Sequence, residues 1–304
     1  MSYSFLRESK LYLVYGGNKY RIFTSTAISF SQTFASDSYS VKTLHNQSKM
    51  FEGATITKAN PVDFNFDVPL TLEKDESPVI DLMSQLNNGQ LTSFDMYIQT
   101  GSAVFKLTNA VITSASMDIN PNNQFTISLQ GQGTKLERAG DESFSIPGNA
   151  ASESATRTPL LVYPVISIDS LTMENIMSTT VTIQNDINWT AYGTLQESLN
   201  VTNASNIMRP SNYTVQRRTI SGAVRQYQID NNITQFDDFS TTSNITIKAI
   251  QVGKAANATP FLQMSLNPAS FTARMSPEEV YTQSYDFNNL DNGTTVPNII
   301  TQYS

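Results

Sequence analysis

Apolar and polar residues alternate most regularly over residues 62–72. Val62, Phe64, Phe66, Val68, Leu70 and Leu72 take the even positions, and Asp63, Asn65, Asp67, Pro69 and Thr71 the odd ones. A period of two predicts a strand with one dry and one wet face. Pro69 has no N–H to give a ladder, so this strand is expected to end at an edge or bulge. Shorter apolar segments predict strands at 11–15 and 20–23, separated by a turn at Gly16-Gly17-Asn18. Further strands are predicted at 28–34, 94–98, 103–107, 111–116 and 125–129. Residues 77–86 break the pattern: Val79, Ile80, Leu82, Met83 and Leu86 are spaced for about two turns of helix, with Ser77 as N-cap, Pro78 as first helical residue and Asn88-Gly89 as stop. Residues 35–49 are polar and show no period. They carry Tyr39, Val41 and Leu44, which points to an excursion that packs on something else.

The second half repeats the first faintly. Ser25-Thr26-Ala27-Ile28-Ser29-Phe30 returns as Ser178-Thr179-Thr180-Val181-Thr182-Ile183, a shift of 153 residues. At that shift Leu13, Tyr15, Phe23, Ile28, Phe30 and Phe34 fall on Ile166, Ile168, Ile176, Val181, Ile183 and Ile187, apolar on apolar throughout. Repeats bear on architecture before any single element does. The chain therefore reads as one β domain written twice: residues 1–137, a Ser-, Ala-, Gly- and Glu-rich linker at 138–159, and a diverged second copy at 160–304. The second copy is predicted to hold strands at 161–168, 176–187, 213–220, 223–229, 245–250, 261–266, 270–275 and 281–287. A long Asn-rich loop at 188–210 and a short helix at 233–239 complete it. The fold class is mainly β, with two tandem antiparallel sandwich or barrel domains, each having at most one short helix.

Composition narrows the function. The chain has 304 residues, enough for two domains of ordinary size. Sixteen Phe and thirteen Tyr suit sheet faces. The net charge of −7 argues against a surface that grips phosphates, which takes clustered Lys and Arg. Cysteine is absent, which excludes disulfides and thiolate chemistry. The first ten residues carry charges where a signal peptide has its apolar core, and no apolar run approaches the ~20 residues of a membrane helix. Synthesis and folding in the cytoplasm are expected.

Candidate chemistry is sparse. His45 is the sole histidine, in a polar stretch that offers neither a metal-ligand set nor a triad. Asp75-Glu76, Asp237-Asp238 and Glu278-Glu279 are adjacent pairs, and neighbours on a strand point to opposite faces, so solvated turns account for them better than a glycosidase pair. Gly131-Gln132-Gly133-Thr134 lacks the Lys and the helix of a phosphate loop. Arg217-Arg218 is too small a basic site for a nucleic-acid platform. Trp189 and Tyr192 form either part of a sugar-stacking surface or, more in keeping with a lone Trp, an interface or core anchor. No catalytic residue, metal or cofactor is expected, and the protein reads as a non-enzyme.

The order of elements resembles the tail tube proteins of long-tailed bacteriophages, a structural group that includes the type VI secretion tube protein. The resemblance rests on a long first loop closed by Phe51-Glu52-Gly53, the alternating Phe64-Asn65-Phe66-Asp67-Val68-Pro69-Leu70, one short helix, and strands ending in Ser128-Leu129-Gln130-Gly131-Gln132-Gly133. It covers residues 11–133 well and 160–290 more loosely, and the second half has Arg209-Pro210 where the Glu-Gly pair is expected. It implies a structural virion protein of the tail, made in the host bacterial cytoplasm. Six such domains would form a ring, and rings would stack into a conduit for DNA that passes without specific binding. With two domains per chain, the ring would hold three chains; six chains with the second domain outside is the competing arrangement. Tail sheath, tape measure and baseplate or terminator proteins are the implied partners. The long loop reaches the adjacent ring in that family. Carried over, the inter-ring contacts would be Tyr39, Val41, Leu44, His45, Met50 and Phe51, with Trp189 and Tyr192 in the second half. A tube initiator or terminator ring is a close alternative, and a two-domain adhesin or carbohydrate-binding protein a more distant one.

Overall fold

A computed structural model describes residues 9–23, 28–41, 51–84, 86–87, 90–168, 171–189, 209–227, 240–276, 281–289 and 300–303. The first half holds β1 (Lys10–Tyr15), β2 (Asn18–Ile22), β3 (Ile28–Val41), β4 (Phe51–Pro69), α1 (Ser77–Ser84), β5 (Leu86–Asn87), β6 (Gln90–Leu91), β7 (Phe94–Gln99), β8 (Val104–Ile119), β9 (Thr126–Gly133) and β10 (Lys135–Gly140). The second half holds β11 (Asn149–Ala150), β12 (Val162–Ile168), β13 (Leu171–Thr172), β14 (Ile176–Trp189), β15 (Tyr213–Tyr227), β16 (Ser240–Gln251), β17 (Leu262–Ser276), β18 (Thr282–Asn289) and β19 (Ile300–Tyr303). The protein is mainly β, and among the described residues all strand pairings are antiparallel except β11 on β2.

In the first half β1 pairs with β2 and β7, β7 with β8, β8 with β9, β9 with β4, and β4 with β3. Strand β10 carries β9 onward along β8. The second half pairs in the same order: β12 with β13 and β16, β16 with β17, β17 with β18, β18 with β15, and β15 with β14. There β19 lies on β17. The two sets meet where β8 pairs with β14, from Thr179 opposite Ile119 to Gln184 opposite Ser114. One run of eight strands results, in the order β3-β4-β9-β8-β14-β15-β18-β17.

The period-two expectation holds over 62–70; β4 ends at Pro69, and beyond it the pattern inverts, with Thr71 buried and Leu72 partly exposed. Val62, Phe64, Phe66, Val68 and Leu70 are buried, and Asp63 and Asn65 face solvent. The hairpin turn is also where expected: Gly16 and Gly17 both have positive φ, 58° and 79°, as a two-residue hairpin loop demands. Helix α1 buries Val79, Ile80, Leu82 and Met83 against the core. The core runs through both halves as one apolar cluster, from Leu11 and Phe66 to Tyr285 and Phe287.

Several expectations are revised. The stretch 35–49 contains no loop start at Ala35. Strand β3 continues to Val41 and pairs with β4 from its first residue, so the excursion is a long hairpin arm. Segments read as separate strands at 103–107 and 111–116 form one strand, β8, as do 261–266 with 270–275 in β17 and 213–220 with 223–229 in β15. In β8 the apparent break is a bulge around Asn109, whose φ is 50°. The helix predicted at 233–239 lies outside the described residues. The boundary read at 137 falls inside β10. The polar segment after β10 is a strap tied to the first half. Ser154 donates to Asp75, Thr158 donates to Glu73, and Leu160 N donates to Leu70 O.

Candidate assembly surfaces

Strand edges with no partner are the reactive groups of a β protein, because each presents a row of unsatisfied N–H and C=O groups. The eight-strand run has two ends. At one end, the edge of β3 facing away from β4 pairs with no strand among the described residues. At the other, β16 covers β17 as far as Thr272, opposite Ser240, and among the described residues Ala273–Ser276 have no partner on that side. The internal seam shows how such edges look when satisfied. Along β8 and β14, Ala115, Met117, Val181 and Ile183 are all at most 1% exposed. The seam is also pinned by a side chain: Asn185, buried, donates from Nδ2 to Ile112 O at 3.0 Å.

Trp189 belongs to the same seam and is no loop residue. It ends β14 opposite Tyr213, with ring centroids 5.2 Å apart, and its Nε1 donates to Gln132 Oε1 of the first half at 2.8 Å. Tyr213 in turn donates its hydroxyl to Leu91 O at 2.7 Å. The two aromatic residues therefore bind the halves together. Of the other residues expected to reach a neighbouring ring, Tyr39 pairs with Gly53 and Val41 with Phe51 at the outer part of the β3–β4 arm. Leu44, His45, Met50 and Tyr192 lie outside the described residues.

The face of the eight-strand run turned away from the core is polar, with many small side chains. Ser29, Ser31, Asp63, Asn65, Ser116, Asp118, Ser128, Gln130 and Thr180 are exposed there. Asp118 is exposed as a residue, but its carboxyl is partly withdrawn from solvent, which holds it above the usual aspartate range. Two of the cations on this face are paired: Arg274 meets Asp286 at 2.8 Å and Arg217 meets Asp186 at 3.1 Å, while Arg225 is exposed on β15 opposite Ser284. Arg218, beside Arg217, turns inward instead and donates to Met83 O at 2.9 Å, and burial pushes its guanidinium down to about 10.

The adjacent carboxylates do not act as a pair. Asp75 meets Arg157 at 3.3 Å and accepts from Ser154. Glu76 is 1% exposed and accepts from Thr71 Oγ1 at 3.0 Å and Thr71 N at 3.3 Å, with Arg157 at 3.8 Å. Both hold the strap, and the Arg157 guanidinium also lies over the Phe23 ring. Asp237-Asp238 and Glu278-Glu279 lie outside the described residues. Gly131-Gln132-Gly133 sits within the β9 ladder and is followed by strand β10, not by a helix. Among the described residues no group of three or more His, Cys, Asp or Glu is placed to hold a metal ion.

Taken together, the fold and its surfaces define a mainly-β protein of two similarly wired sheet sets, joined at a sealed strand seam. Residues 1–303 match the family model of the Bacteriophage Baseplate Tube Protein Family, and the chain belongs to that family. It is a structural component of the phage tail, at the baseplate. A comparison with curated protein sequences finds no match.

Proposed function

We propose that the protein is a ring-forming segment of the baseplate tube, built from a duplicated tube domain, through which DNA leaves the tail. The observation that carries this reading is the recurrence of the same strand pairings, in the same order, in the two halves. Two like domains already joined edge to edge in one chain supply two sixths of a ring. Head-to-tail contacts close under rotation, and three chains then give six domains. Ladder positions refine the match between halves: Leu13 opposite Met96 corresponds to Ile168 opposite Ile245, not to Ile166 as a uniform shift of 153 has it. The spacing differs from strand to strand because the connections differ in length.

In this reading the polar, small-residue face of the eight-strand run lines the lumen. A wall of Ser, Thr, Asn and Gln with a few Asp, the paired Arg217 and Arg274 and an isolated Arg225 offers no continuous cationic track, so DNA passes without being held. The protein acts by assembly and has no enzymatic activity. The hairpin arms of β3–β4 and β14–β15 reach the adjacent ring, and the neighbours along the axis are other tube, tape measure and baseplate or terminator proteins, with the tail sheath outside. Membership of a baseplate family favours a ring at the tube's end over the many-ring shaft.

Electron microscopy of the purified full chain tests this, together with quantitative mass spectrometry of intact virions. Hollow rings with threefold symmetry and a copy number of one or a few rings per virion are expected. A protein that stays monomeric under all assembly conditions, including in tail extracts, overturns the reading. A copy number in the hundreds moves it from the baseplate to the shaft.

A further inference from the structure

A chain of hydrogen bonds joins the roots of the two hairpin arms. Strand β4 meets β9 only from Val62 onward, so among the described residues 51–59 pair with β3 alone. Strand β14 meets β8 only as far as Gln184, and β15 meets β18 only from Ser221, so 185–189 pair with 213–218 alone. Between the two roots lies Gln132, near the end of β9. Its Oε1 accepts from Trp189 Nε1 at 2.8 Å, and its Nε2 donates to Asp63 Oδ1 at 2.9 Å. Asp63 stands in β4 opposite Ser31, the neighbour of Gln32. Resting on the ring-forming reading above, we infer that Gln132 is a positioning residue that yokes the two arms, so that a chain docks on the adjacent ring with both arms held at one fixed spacing.

Each arm bends at its root. The β3–β4 ladder shifts register between Gln32 and Phe34 and again between Ala35 and Ser36, and the β14–β15 ladder shifts between Asp186 and Ile187. A bulge bends its strand and adds twist, so it sets where the arm beyond it points. Side chains fix the first bend. Gln32 Nε2 donates to Asn60 O at 3.0 Å and to Thr134 O at 3.2 Å, Leu136 N donates to Gln32 Oε1 at 3.1 Å, and Asn60 Nδ2 donates to Thr33 Oγ1 at 2.8 Å. These partners all belong to the first half.

The second bend is also fixed from the first half. Asn185 donates to Ile112 O at 3.0 Å, the Tyr213 hydroxyl to Leu91 O at 2.7 Å and Arg218 Nη2 to Met83 O at 2.9 Å, besides the bond from Trp189 to Gln132. The Asp186–Arg217 pair within the second arm is solvent-exposed and holds it weakly. Both arms are thus set in the frame of one body, and Gln132 touches the root of each. Two contacts offered by one rigid body reinforce each other, because the second forms at high effective concentration once the first is made. A body that holds the productive spacing only part of the time binds more weakly by that fraction.

The chain has no cysteine, so two introduced ones carry spin labels alone. Lys58 on the first arm and Asn188 on the second are both exposed. Double electron–electron resonance on the full chain carrying Lys58→Cys and Asn188→Cys, diluted into unlabelled protein, reads the spacing of the arms. One narrow distance is expected, and adding Gln132→Met, which breaks both bonds at similar volume, is expected to broaden it. An unchanged distribution overturns the yoke. Docking is read by titrating purified rings into tail extracts made without this protein. Gln132→Met rings are expected to form in normal yield but to need about tenfold more protein to half-saturate the tails. Trp189→Phe, which breaks one of the two bonds, is expected to fall between. Ile247→Ala opens a cavity in the second-half core away from both roots and costs at least as much stability, yet is expected to dock like the wild type. Wild-type docking by Gln132→Met rings, or an equal loss in Ile247→Ala, overturns the docking role of the yoke and leaves the ring reading standing. A wild-type chain that forms no rings overturns the ring reading, while the spacing measurement still decides the yoke.

Discussion

Phe64 lies across its ladder partner Gly131, so closely that a Cβ on residue 131 would stand 2.2 Å from Phe64 Cζ and 2.3 Å from Val111 O. In the second half the same two places hold Gly222 and Phe287 with the residues exchanged: the aromatic ring comes from β18 and the glycine from β15. A Cβ on residue 222 would meet Phe287 Cζ at 2.5 Å and Thr180 O at 2.1 Å. Each half thus fills one core site with one ring over one bare backbone. Gly131→Ala and Gly222→Ala are each expected to cost about 1–3 kcal/mol, as overpacking does. Adding Phe64→Leu to Gly131→Ala should recover part of the loss and not all, because the backbone oxygen remains in the way. Denaturant unfolding of the three variants checks the order.

Trp189 is the only tryptophan, so its emission reports on the seam between the halves. Trp189→Phe keeps a ring near Tyr213 but loses the 2.8 Å hydrogen bond to Gln132. A net loss of about 1 kcal/mol is expected from it. Trp189→Ala also gives up the aromatic pair, for about 1–2 kcal/mol in total. Gln132→Ala also gives up the 2.9 Å hydrogen bond that Gln132 donates to Asp63, so it should cost somewhat more than Trp189→Phe, and the double variant should cost less than the sum of the two, since the Trp189–Gln132 bond is lost in both. Thermal melts of the four chains give the cycle directly.

How much of this was legible follows from which residues see a uniform environment. The strand at 62–72 was plain because each of its faces meets one environment along nearly its whole length, core on one side and water on the other. Strands β8 and β17 were read as broken because each serves different partners along its length. Val104–Ala110 pairs with β7 and Ser114–Ile119 with β14, and the polar Thr108-Asn109 at the changeover looks like a turn in one dimension. Gly222 suggested a turn for the same reason, while its ring partner Phe287 lies 65 positions away and cannot be seen locally. The outer β3–β4 arm gave no period because, among the described residues, 35–41 pair only with 51–58, so no single face had to be apolar. Arg157 and Glu76 were invisible as a unit, because the strap that joins them is defined by tertiary contacts alone. Trp189 was singled out for its rarity, but its partner Gln132 had no signal in the sequence.

Glu76 makes stability depend on pH. Burial raises its carboxyl above the usual glutamate range, against the lowering effect of Thr71 and Arg157. A folded-state pKa above the unfolded one means that the folded protein prefers the proton. The associated stability is therefore full below the ordinary glutamate pKa and is lost as pH rises through the folded value. Glu76→Gln keeps an acceptor for Thr71 and cannot ionise. Its melting temperature is expected to fall less than the wild type's as the pH is raised from 4 to 7. Arg157→Met is expected to act in the opposite sense, costing about 1–3 kcal/mol at neutral pH because the carboxylate loses its cation, and less in acid. Melting curves across that range for the three proteins decide it.

The polar face of the eight-strand run gives the sharpest functional test, because charge can be changed there without touching the core. Ser128 is exposed on β9, between Asp67 on β4 and Ser116 on β8, and Gln130 is exposed two residues further along the same strand. Ser128→Lys with Gln130→Lys adds two cations per first-half domain to a chain of net charge −7. Exposed substitutions of this kind change stability by about 0.5 kcal/mol or less, so folding and assembly should persist. DNA inside a lumen so lined would meet a ring of ammonium groups, and binding to phosphates is strongly salt-dependent. Phage carrying the double variant are expected to assemble tails normally and to release DNA slowly or incompletely at low ionic strength, recovering as salt is raised. The charge-neutral control Ser128→Asn with Gln130→Thr should release DNA like the wild type. Fluorescence-monitored DNA release from purified virions distinguishes the cases, and release at the wild-type rate by the double lysine variant at all salt concentrations would mean that this face does not line the path of the DNA.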